Sequence, residues 1–433
     1  MLIVTPAIIA ALVAVTQGLP IGTNLALLHV LWALASGQLL KSRGALFPAL
    51  QAIGLSTPAV RRAWAAFRYG SWTIGEMLTA WHEYVKDQTD WVVHRYEGYR
   101  PKAIDLTAFW RPTLKNVLSK YYHSQAGKAL PAIVLGLVGW VGHLGTQRLL
   151  LPTAIIRVDP DEPSEKTLQA KVLGQVAATL EDDEVAVLDA GFKLAQLQAA
   201  GLTNYVVRLA KNFSARRNIP APYKGQGRPP EYGELVRPLE RSYRGNLIEA
   251  TPPDWTTEWQ EDEHLVLRVE GWEDLVLNDQ KANPDNQTFR VMAFHDPRYV
   301  DPLLVGVSLN LQPASVLDIY HDRWPVEGPP LVAKQMLGAH RQFVSAPESC
   351  QRLPELALLA GSVLAFLAAS LPAIPTGFWD RNPRPTPGRL RRALIDLPFP
   401  ETYPLPANFR VKRSVTDHLW TGFLARRRLK QAA

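Results

Sequence analysis

Tyr320-His-Asp-Arg323-Trp-Pro-Val-Glu327-Gly-Pro-Pro-Leu-Val-Ala-Lys334 is the stretch on which the reading of this chain turns. Counted from Tyr320, the arginine, the glutamate and the lysine follow at 3, 7 and 14 residues. On an uninterrupted α-helix, turning roughly 100° per residue, the four side chains fall within about 60° of one another. One face then sets a carboxylate among a guanidinium fork, an ammonium and a phenol, all of which donate to phosphate oxygens. Pro325, Pro329 and Pro330 lie in the same stretch. A proline inside a helix removes a hydrogen bond and kinks the axis at a cost of about 3 kcal/mol, so a bend is expected between Arg323 and Lys334.

Working outward, short apolar runs of strand character occur at Ala103–Leu106, Ala132–Val138, Ala154–Val158, Ala186–Leu188, Tyr205–Leu209 and Leu303–Leu309. Ser164–Leu180 has helical spacing, with Leu168, Val172, Val176 and Leu180 on one face, and Pro313–Trp324 reads as the helix after the last strand. Strands alternating with helices predict an α/β layer. Asp105 and Asp189 each end one of the runs, the position where α/β sheets tend to place ligands. Three carboxylates from separate segments are a chemistry in themselves. In-line phosphodiester cleavage uses two Mg²⁺ ions about 4 Å apart, and hard cations take carboxylate oxygens together with water and substrate phosphates.

The spacing Tyr-(2)-Arg-(3)-Glu-(6)-Lys resembles the signature of bacterial DDE transposases of the insertion-sequence-four type. Ile104-Asp105-Leu106-Thr107 resembles their first acidic motif, and Leu188-Asp189-Ala190-Gly191-Phe192 their second. Asn204-Tyr205-Val206-Val207-Arg208 is similar to the strand that follows. Gly227-Arg228-Pro229 with Tyr232-Gly233 is similar to the basic approach to their β-rich insertion. The resemblance spans about residues 100 to 370. It implies a ribonuclease-H-like catalytic core and cut-and-paste transposition: nicking, hairpin formation and opening, then strand transfer. Asp105, Asp189 and Glu327 would hold two Mg²⁺ ions, for which Mn²⁺ can substitute. Tyr320, Arg323, Lys334 and Arg228 would grip DNA, and Trp255, Trp259 or Trp272 would stack on a flipped base. Its partners would be double-stranded DNA, as terminal repeats and target, and a second copy of the chain in a homodimer. In that family the signature helix continues regularly to its lysine, so the prolines here separate an active enzyme from an impaired or domesticated descendant that only binds DNA.

The resulting layout is an α/β fold: a helical N-terminal DNA-binding domain (1–95), a core in two parts (96–211 and 301–375), a β-rich insertion (212–300) and a basic C-terminal segment (376–433). Within the first, Leu50-Gln-Ala-Ile-Gly54-Leu-Ser56-Thr-Pro-Ala-Val60-Arg61-Arg62 has helix-turn-helix spacing. Gly54 would take the turn, Ser56 the cap, and Arg61, Arg62 and Arg68 the recognition helix. Leu353–Leu371 reads as a core helix, and the chain beyond Pro372 as extended or loosely ordered.

At 433 residues with 20% charged and 47% hydrophobic residues, the chain suits two or three globular domains. A single cysteine, Cys350, excludes an intrachain disulfide or a cysteine-rich zinc module and favours a reducing, cytoplasmic setting. The first 40 residues carry no Lys, Arg, Asp or Glu, yet Pro6, Gln17, Gly18 and Pro20 interrupt them. Buried helix rather than membrane span or signal peptide is expected there. From Thr376 onward there are 12 Lys or Arg against 4 Asp or Glu, so the whole +7 surplus is C-terminal. Such clusters neutralise phosphates.

Overall fold

The computed structural model describes residues 4–88, 90–114, 119–158, 161, 164–223, 225, 227–262 and 265–411. Six of the basic residues counted after Thr376, Lys412, Arg413, Arg426, Arg427, Arg428 and Lys430, lie outside the described residues. The protein is mixed α/β and forms two compact units: Met1–His94, Asp105–Leu168 and Trp324–Ala433 make the first, Arg95–Ile104 and Gln169–Arg323 the second. The strand Arg100–Trp110 is divided between them after Ile104.

In the first unit, the N-terminal helices Val4–Thr16 and Thr23–Ala35 are apolar on nearly every face and buried. A helix with no polar face has to be enclosed. The helix Pro347–Ser370 packs against Thr23–Ala35 and the strand Gln147–Arg157. Among the described residues it is the one helix long and apolar enough to cross a membrane, and 83% of its apolar window is buried inside the protein. Three charges lie along it and a fourth faces it from the strand: Arg157 bonds Glu355 at 2.5 Å and Glu348 at 3.0 Å, and Arg352 bonds Glu348 at 2.7 Å. Arg352 also donates to the Phe67 and Gly70 carbonyls, tying down the end of the helix Thr57–Tyr69. The long strand Lys128–Leu144 pairs antiparallel with Gln147–Arg157 and neighbours Arg100–Trp110.

The segment beyond Pro372 is not simply extended. Pro387–Leu394 is a helix, because Leu390 and Leu394, one turn apart, are both buried, and Phe399 and Phe409 are buried beyond it. In the helix-turn-helix candidate, Leu46–Ala52 and Thr57–Tyr69 are helices, Gly54 sits at φ 86°, and Val60 is buried. Ser56 precedes the second helix without a side-chain capping bond. Arg61 is exposed; Arg62 and Arg68 are half-buried.

In the second unit, Arg100–Ile104 pairs parallel with Glu184–Leu188, which pairs parallel with Tyr205–Arg208. A buried ion pair, Lys102 to Glu184 at 2.5 Å, links the first two. Leu303–Val307, Phe289–His295 and Leu265–Val276 then add antiparallel strands, and Trp255–Asp262 and Ala215–Pro220 both pair with the last. The β-rich segment 212–300 therefore continues this sheet and belongs to the same compact unit. Backbone donors and acceptors left at a sheet edge are met by the next strand, and that pairing is invisible in apolar patterning. The helix Pro313–His321 closes the core over Val185, Val187, Val206, Met292, Val305 and Val307.

Candidate functional site

The signature stretch is not one regular α-helix. The α-helix Pro313–His321 stops, Trp324–Glu327 tightens to a 3₁₀ turn, Gly328–Leu331 resumes α, and Val332–Met336 widens into a π turn. Leu337 N–H bonds the Val332 carbonyl at 3.0 Å, five residues back. Pro325, Pro329 and Pro330 have no N–H to continue an i→i−4 ladder, so the path changes pitch while remaining helical. The single α-helical face expected for Tyr320, Arg323, Glu327 and Lys334 is thereby replaced. Tyr320 and Arg323 belong to the second unit, and Glu327 and Lys334 to the first.

The first unit carries a cleft of about 550 Å³ lined by Asp105, Thr107, Trp324, Glu327, Lys334 and Gln335, with apolar walls from Leu106, Leu137, Val326 and Leu331. Asp105 comes from the strand Arg100–Trp110; Glu327 and Lys334 come from the proline-broken segment more than two hundred residues later. Asp105 is half-buried, with one oxygen accepting the Leu106 N–H, and Glu327 is exposed. Lys334 lies over two aromatic rings, 5.3 Å from the Phe109 centroid and 5.4 Å from Trp110. Burial strips water from its ammonium and lowers its pKa to about 8, against the opposing pull of Asp105. The helix Pro347–Ser370 supports the segment through Gly361. A Cβ there would stand 3.0 Å from the Pro329 carbonyl oxygen and 3.3 Å from the Val332 Cβ.

The second unit gathers a complementary set. The ladder pairs Leu188 with Val207, so the next residues, Asp189 and Arg208, are neighbours at 3.9 Å. Tyr320 is buried, which raises its pKa; Arg323, Asp189 and Arg208 supply the charges around it. Arg323 is buried too, and Asp322 beside it accepts a bond from the Tyr96 hydroxyl at 3.0 Å. Among the described residues no three His, Cys, Asp or Glu side chains form a metal-sized group. A Mg²⁺ ion commonly takes only one or two protein carboxylates, the rest of its shell being water and phosphate. Asp105 and Glu327, hard oxygen donors on one cleft, fit that chemistry.

The other candidates are dispersed. Arg228 is exposed and paired with Glu231. Trp272 has no exposed surface, and its Nε1 donates to the Thr251 and Pro252 carbonyls, which makes it a core residue. Trp255 and Trp259 are half-buried against the same core, with Nε1 donating to Glu273 and Glu261. Sequence reasoning missed Arg208 beside Asp189 and the rings of Phe109 and Trp110 beneath Lys334. The Val-Arg ending of one strand and the Phe-Trp ending of another are the signals that could have marked them. No family model matches the chain, and no curated protein sequence matches it.

Proposed function

We propose that the chain is a DNA transposase of the insertion-sequence-four type, cutting and joining DNA through Asp105, Asp189 and Glu327. One observation carries the reading: Asp105, Glu327 and Lys334, remote in sequence, line a single cleft. Strand order supports it as well. In the second unit Arg100–Ile104, Glu184–Leu188 and Tyr205–Arg208 follow one another in parallel. Adjacent parallel strands of this kind are what a ribonuclease-H-like core would contain. The ladder also pairs Ile104 with Leu188, the residues immediately before Asp105 and Asp189.

On this reading Asp105 and Glu327 hold Mg²⁺ with Asp189 as the third carboxylate. The bound metal would lower the pKa of an attacking water or 3′-hydroxyl and neutralise charge at the scissile phosphate. The chain's own groups do the rest. Lys334, poorly solvated over its rings, offers an ammonium that a phosphate oxygen would stabilise. Arg208, exposed beside Asp189, offers a guanidinium to the backbone flanking the bond, with the buried Arg323 and Tyr320 behind it. Two copies of the chain acting on paired ends would complete the reaction.

The test uses a supercoiled plasmid carrying candidate inverted repeats sought in the DNA on either side of the gene, incubated with purified protein and Mg²⁺ or Mn²⁺. Nicked and then linear product should appear, and Glu327→Ala should abolish it while end-binding in a gel-shift assay persists. Absence of nicking by the wild-type protein would refute the catalytic reading and leave DNA binding alone.

A further inference from the structure

The turn Thr376–Asp380 displays the most exposed aromatic pair among the described residues, Phe378 at 95% and Trp379 at 68% exposure. The two rings meet edge-on with centroids 5.1 Å apart. Their backbone is held firmly. Asp380 accepts from the Thr376 N–H and hydroxyl, each at 3.0 Å, and pairs with Arg389 at 2.7 Å, while Arg389 also bonds the Ile374 carbonyl. Gly377 lets the Trp379 ring lie close to the backbone, where a Cβ would stand 2.4 Å from it. Such exposure is unfavourable in water unless a partner covers it, and a pinned turn loses little entropy when one does.

The surrounding charge selects the partner. Thr376–Leu394 contains five arginines and one acid, Asp380, whose charge is already met by Arg389. Arg381, Arg384 and Arg392 are exposed. Flat π faces beside arginines are the chemistry of unpaired nucleobases with their phosphates: the rings stack, and the guanidinium groups meet the backbone. A duplex keeps its bases stacked on each other and offers only phosphates to this turn.

We infer that Phe378 and Trp379, with Arg381 and Arg384, form a stacking platform for single-stranded DNA. The inference rests on the nucleic-acid reading of the chain but not on its catalysis. It is tested by fluorescence anisotropy with a short labelled oligothymidylate and a labelled duplex. The double substitution Phe378→Ala/Trp379→Ala should weaken oligothymidylate binding by about tenfold or more. Duplex affinity and thermal midpoint should be unchanged, since both side chains are exposed. Phe378→Tyr/Trp379→Phe, which keeps two stacking rings, should restore binding. No loss with the alanine pair, or an equal loss on duplex, would overturn the platform. Loss of binding to vesicles of anionic lipid with oligothymidylate binding intact would also overturn it and make the turn a membrane contact. Because the readout is binding alone, a chain that fails to nick plasmid can still pass, and one that nicks can still fail.

Discussion

Lys334 offers the sharpest test of the cleft. With a pKa of about 8, its side chain is about 90% charged at pH 7 and about 10% charged at pH 9. If its ammonium contacts a phosphate, the DNA affinity that it supplies falls by about tenfold across that interval, because only the charged fraction binds. An ordinary lysine would stay charged throughout. Lys334→Arg, charged at every accessible pH, should flatten the profile, while Asp105→Asn removes a charge that raises the Lys334 pKa and should move the midpoint lower. The assay is fluorescence anisotropy on an end duplex from pH 7 to 9, with ¹³C NMR of labelled lysine reporting the titration directly. For the fold the sign is opposite. Between pH 8 and the unfolded value of 10.5 the native state binds fewer protons than the unfolded chain, so stability rises with pH in that window. A Lys334 resonance that titrates at 10.5 or above, or a Lys334→Arg profile as steep as wild type, would refute the reasoning.

Arg157→Met strands Glu355 as a buried carboxylate and should cost about 3–5 kcal/mol in urea denaturation, less at acid pH where Glu355 can protonate. Adding Glu355→Met should recover most of that loss, and an additive double variant would contradict a coupled pair. His29 is held neutral by burial, helped by Arg62, with its pKa lowered to about 4. The unfolded chain then binds the extra proton, so stability present above pH 6.5 is lost as pH falls toward 4, on the order of 3 kcal/mol. His29→Phe should remove that slope from thermal melts recorded against pH. Gly361→Val should destabilise by about 1–3 kcal/mol and disturb the cleft, because the added carbons meet the Pro329 carbonyl and Val332. Wild-type stability in that variant would show that the packing is loose.

The sequence by itself determined the elements whose signal is local. Apolar runs at Ala186–Leu188 and Tyr205–Leu209 correspond to the strands Glu184–Leu188 and Tyr205–Arg208, and the spacing over Ser164–Leu180 corresponds to the helix Glu165–Thr179. Burial on both faces demands continuous apolar residues, and burial on one face demands a 3.6-residue period, so both are written along the chain. The prolines likewise announced a departure from a regular helix between Arg323 and Lys334; the α-helix ends earlier still, at His321, and a 3₁₀ turn and a π turn lie in the expected interval. What replaced the regular helix, a 3₁₀ turn followed by a π turn, was decided by packing: the segment lies on Gly361 of a helix that follows it, and no local rule contains that partner. The same holds for the edges of the sheet, where the β-rich segment extends existing strands instead of standing apart. Trp272 became core and Trp379 became surface for one reason. A tryptophan's role depends on what lies opposite its ring, and only the tertiary structure supplies that.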